Sequence, residues 1–113
     1  MKLKIVESSW SGWTPDYKSE DYETEYELEL NKKYIVDTWI RRVCHEDVEE
    51  FSFEILEIFD SYIKIHTFQD YLGHNALNHN EYGSNEFLVV KGEILELSEN
   101  KKDAGKIYKL FLL

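Results

Sequence analysis

The chain has 113 residues, 42% hydrophobic and 15% aromatic, with 23 acidic against 13 basic side chains and a formal net charge of −10. That length holds one domain (residues 1–113) with a modest core, and the apolar content excludes a disordered chain. No window approaches the ~18 consecutive apolar residues of a membrane-spanning helix, and the acidity disfavours nucleic acid and anionic membranes, which need clustered Lys and Arg.

The charge is uneven: residues 1–60 hold 16 acids against 7 Lys/Arg, and residues 61–113 hold 7 against 6. Such a field attracts a basic partner, although acidity also serves solubility. Cys44 is the single cysteine, so no internal disulfide forms. The opening Met1-Lys2-Leu3-Lys4-Ile5-Val6-Glu7 reaches an acid before any signal-like apolar run. Together these predict a cytoplasmic location.

In chain order, Lys2 to Val6 alternates as a first strand, with Leu3 and Ile5 inward. Ser8 to Asp21, with Gly12 and Pro15, reads as a loop carrying Trp10, Trp13 and Tyr17. Tyr22 to Leu30 is the plainest strand. Glu23, Glu25, Glu27 and Glu29 occupy one face, about 6.5–7 Å apart by strand geometry, and Tyr22, Thr24, Tyr26, Leu28 and Leu30 the other. Asn31-Lys32-Lys33 turns into a third strand, Tyr34 to Val43.

Phe51 to Ile58 alternates with a slip between Ile55 and Leu56, which predicts a β-bulge. A short helix over 47–58 competes, because Val48, Phe51, Ile55 and Ile58 also fit helical spacing. Asp60-Ser61 turns into a strand from Tyr62 to Phe68. Residues 69–85 read as an irregular stretch rich in asparagine. Phe87 to Val90 reads as a strand covered on both faces, Lys91-Gly92 as a turn, and Ile94 to Leu97 as a strand. Residues 100–105 read as a turn, and Lys106 to Leu113 as the last strand. Seven or eight short strands predict an all-β antiparallel sandwich or small barrel, with Tyr26, Leu28, Ile63, Ile65, Val89, Leu95, Tyr108 and Leu110 inward.

Candidate chemistry is sparse. His66, His74 and His79 with Asn75, Asn78 and Glu81 suggest a metal loop, but the spacing fits no zinc signature. Cys44 and His45 are adjacent, so on a strand they face opposite ways and do not form a nucleophile–base pair. No phosphate-cradling loop or nucleophile elbow is present. The expectation is a protein that is not an enzyme and carries no cofactor or metal.

Two surfaces remain. Trp10, Trp13 and Tyr17 form a binding surface for a protein or sugar, or else Trp10 and Trp13 cap an open end of the sheet stack. The glutamate row is either a solvated face matched by Lys2, Lys4 or Lys64, or a docking face for a basic partner, extended by Asp16, Glu20 and Asp21.

The segments Val89-Val90-Lys91-Gly92-Glu93-Ile94-Leu95-Glu96-Leu97 and Asp103-Ala104-Gly105-Lys106-Ile107-Tyr108-Lys109-Leu110 resemble small all-β Firmicutes proteins of unknown function, as do the opening Lys4 to Gly12 and the Glu23-Thr24-Glu25-Tyr26 row. Some of those act as immunity proteins of contact-dependent or polymorphic toxin systems. The resemblance covers about half the chain and transfers no functional residue. It implies a non-enzymatic inhibitor of a basic toxin domain, such as a nuclease. The alternative is a small-ligand or carbohydrate-binding β module using Trp10, Trp13 and Tyr17.

Overall fold

The computed structural model describes residues 1–11, 22–36, 51–74, 84–98 and 104–113. They form eight strands: β1 (Lys2–Ser11), β2 (Tyr22–Glu27), β3 (Lys33–Ile35), β4 (Ser52–Ile58), β5 (Tyr62–His74), β6 (Ser84–Val90), β7 (Ile94–Ser98) and β8 (Ala104–Leu112). Every pairing is antiparallel. The order is β2-β1-β8-β7-β5-β4-β3, with β6 also on β5, and the sheet curls into a half-barrel. The all-β expectation holds. Among the described residues no helix is long and apolar enough to cross a membrane.

Alternation builds the core. Leu3 and Ile5 of β1, Phe53 and Ile55 of β4, Ile63 and Ile65 of β5, Phe87 and Val89 of β6, Leu95 and Leu97 of β7, and Tyr108 and Leu110 of β8 are buried on the concave face. Tyr26 and Leu28 pack against this cluster while partly exposed. Phe51 stacks on Tyr108 with centroids 4.5 Å apart, and Tyr34 stacks on Phe53 at 5.0 Å.

The slip at Ile55 is a register shift between Ile55 and Glu57, as the sequence predicts. Ser52–Ile58 is a strand, so the helical alternative fails there. Periodicity allows both; pairing on β3 and β5 decides it. Asn31, at φ 60°, and Gly92, at φ 88°, take the left-handed conformations that turn the chain.

Several boundaries differ from expectation. Ser8 to Ser11 belong to β1, because their backbone pairs with Ile107 to Ala104 of β8. Ala104 and Gly105 are therefore strand, not turn. The Glu-row strand ends at Glu27, and Leu30-Asn31 turns. Residues 69–74 continue β5 instead of forming a loop. The third strand closes at Ile35; Val36 still donates to the Phe51 carbonyl at 2.9 Å, and residues 37–43 lie outside the described residues. Leu88 and Val90 are partly exposed, so β6 is covered on one face only.

The length of β5 has a local cause. Residues 63–67 pair with β4 and 62–66 with β6, whereas 72–74 pair with β7. Between them the register on β6 shifts from His66 to Tyr71. Side chains satisfy the displaced backbone: the buried Thr67 hydroxyl donates to the Gln69 carbonyl at 2.6 Å, and Gln69 Oε1 accepts from the Ser52 amide at 3.1 Å. Tyr71 and Gly73 then face inward.

Candidate functional site

β2 positions the acidic row. It pairs with β1 and with no other described strand, so it is the edge of the described sheet. Tyr26 points into the core, and Glu23, Glu25 and Glu27 are exposed on the convex face. Glu29 extends the line just past the strand, into the turn.

In register, Lys4 stands opposite Glu25 and Lys2 opposite Glu27. The ion pairs are Lys2 to Glu27 at 3.6 Å, Lys4 to Glu23 at 3.8 Å and Lys32 to Glu29 at 3.7 Å. Lys4 thus leans diagonally past Glu25, its Nζ also 4.9 Å from the centroid of the Phe111 ring. No ion pair joins Glu25 to a described residue. Lys64 belongs elsewhere: it faces Glu86 at 3.9 Å. Exposed pairs of this kind are worth roughly 0–1 kcal/mol each. Exposed carboxylates of this kind attract cations.

At the end of β2, the Tyr34 hydroxyl donates to the Glu27 carbonyl oxygen at 2.6 Å. The Tyr26 and Tyr34 rings meet edge to face, centroids 5.6 Å apart. The acidic row therefore rides on a strand whose inner face and one end are both fixed.

The other expected site residues do not gather around it. Trp10 lies on β1 opposite Gly105 in register. Trp13, Asp16, Tyr17, Glu20 and Asp21 lie outside the described residues, as do Cys44, His45, Asn75, Asn78, His79 and Glu81. His74 ends β5 opposite Glu96. His66 is on the convex face of a different region, its Nδ1 3.6 Å from Glu54 Oε1. Among the described residues no three His, Cys, Asp or Glu side chains gather to hold a metal.

Two features go beyond the sequence reading. Lys33, Glu54, His66 and Glu86 form a polar row across β3, β4, β5 and β6. Alternation places each outward, but their alignment depends on register, which no local pattern encodes. The second is Glu7, a buried carboxylate on the inward side of β1 opposite Tyr108. The alternation of Leu3 and Ile5 carried two residues further would have found it.

No family model, curated protein or solved structure matches the chain.

Proposed function

We propose that this protein is a non-enzymatic, protein-binding inhibitor that receives a basic partner along the acidic edge at β2. The observation that carries this reading is the placement of Glu23, Glu25 and Glu27 on the convex face of an edge strand. A row in the middle of a sheet is flanked by neighbours on both sides; a row at the rim is open to an incoming molecule from one side. Glu25, which pairs with no described residue, is the point at which a partner cation docks first. The exposed lysine pairs are weak enough for a partner's Arg or Lys to compete for Glu23 and Glu27.

The partner class that fits is a basic toxin domain, with the chain acting as its immunity protein. For a nuclease, the carboxylates would stand where substrate phosphates bind, and charge complementarity would steer association before the toxin's cleft is occluded.

The test is association of a basic protein captured by the immobilised chain, followed by surface plasmon resonance at low and high salt. Steered association falls steeply as the screening length shrinks below about 8 Å. Changing Glu25 and Glu27 to Lys should slow association tenfold or more. An unchanged rate with no salt dependence would remove the row from the interface.

A further inference from the structure

We infer that β2 receives its partner as an added strand: an extended basic segment, with Lys or Arg at alternate positions, pairs with the outward backbone of Glu23 and Glu25, which no described residue occupies. The inference rests on the proposed docking at this edge and specifies its geometry.

The backbone orientation follows from two bonds. In an antiparallel ladder the N–H and C=O of one residue point to the same side, and successive residues alternate sides. Leu28 donates its amide to the Met1 carbonyl at 3.4 Å, so the even-numbered residues of this segment face β1. The odd-numbered residues therefore face away from it. Tyr34 agrees, because its hydroxyl reaches the Glu27 carbonyl from that outer side. Glu27 is thus occupied. At Glu23 and Glu25 the amide and carbonyl face outward, and no described residue bonds them.

A row of backbone groups that no described residue pairs with is a template for strand addition. Charge selects the occupant. A second copy pairing β2 against β2 would set glutamates opposite glutamates, and like charges directly opposite destabilise a pair. A strand with Lys or Arg at every second position would put a cation opposite each glutamate. The same side chains that repel a second copy would therefore bind a basic strand, with main-chain bonds supplying affinity and the convex-face pairs supplying selectivity.

The probe is a cyclic β-hairpin peptide whose outer strand alternates Lys and Thr, compared with its Glu/Thr counterpart and with a Lys/Thr version N-methylated on the amides that would face β2. The readouts are affinity and amide hydrogen exchange in the whole protein. The Lys/Thr peptide should slow exchange at Glu23 and Glu25 at least tenfold. N-methylation should weaken binding at least tenfold, and the Glu/Thr peptide should not bind. The variant Glu25→Gln should weaken the Lys/Thr peptide while leaving its sensitivity to N-methylation. Equal binding of the N-methylated peptide would overturn strand addition and leave docking by charge intact. Failure of every basic probe and captured basic protein to bind would overturn both. Protected Glu23 and Glu25 amides without peptide would overturn the inference; a dimer in sedimentation would then identify a second copy as the occupant, and a monomer another segment of the same chain.

Discussion

The Tyr34 hydroxyl, on β3, donates to the carbonyl oxygen of Glu27, on β2, across 2.6 Å. β2 and β3 stand at opposite ends of the strand order, so one side-chain bond ties the two ends of the curled ladder. Tyr34 is buried by its stacking on Phe53, which holds the hydroxyl in place. Tyr34→Phe should destabilise the fold by roughly 0.5–1.5 kcal/mol, the usual net value of one hydrogen bond. Urea unfolding measures the loss, and a change within error would mean that water replaces the hydroxyl without penalty.

Phe53 stands at the centre of the aromatic cluster, fully buried and within 5.0–6.3 Å of the Tyr34, Phe51 and Tyr26 rings. Phe53→Ala should cost about 3–5 kcal/mol. Leu28→Ala should cost less than the 2–5 kcal/mol of a fully buried leucine, because Leu28 only leans on the core. Equal losses in the two variants would contradict the burial difference.

Gly73 faces the Phe87 ring so closely that a Cβ there would lie 2.4 and 2.6 Å from two ring carbons. Gly73→Ala should therefore destabilise by roughly 1–3 kcal/mol through overpacking. Adding Phe87→Leu to Gly73→Ala should recover part of that loss, a coupling that a double-mutant cycle reads directly. Strict additivity of the two changes would show that the clash is relieved elsewhere.

Lys2 and Lys4 neutralise part of the acidic row through exposed pairs. Replacing both by Ala should change stability by less than about 2 kcal/mol, since each such pair is worth 0–1. It should also quicken association with a basic protein at low salt, because the row becomes more negative. Slower association would place the lysines, rather than the glutamates, in contact with the partner.

The strands with strict alternation were the legible part. Glu23 to Glu27 and Ile63 to His66 declare their faces because every second residue is apolar or polar as the sheet requires. The bulge at Leu56 was legible for the same reason: one extra residue shifts the apolar phase. Gln69 to His74 misled because its asparagine-rich continuation and Gly73 look like a loop, whereas Gly73 is there to admit the Phe87 ring. Ser8 to Ser11 misled because three serines around the single Trp10 carry no alternating phase, although their backbone pairs as well as any. For the candidate site, the row and the lysines opposite it were readable. That β2 is an edge, and that Lys4 bypasses Glu25, depend on which strands meet across the fold. The aromatic and acidic residues from Trp13 to Asp21 lie outside the described residues and remain expectations.

The pairing of β1 with β8 sets the order in which this molecule can be completed. Leu3 sits opposite Leu112, 109 positions along the chain. During synthesis β1 and β2 emerge before β8, so the side of β1 that pairs with β8 waits until β8 has left the ribosome. Until then Leu3 and Ile5 have no closed core to enter, and an unpaired strand carrying them is open to misassociation. Closing so distant a pair is slow, placing folding among the millisecond-to-second class of all-β domains. While β1 waits, the glutamates of β2 form a charged flank beside it, a gatekeeper against the wrong neighbour at the time the chain is most exposed.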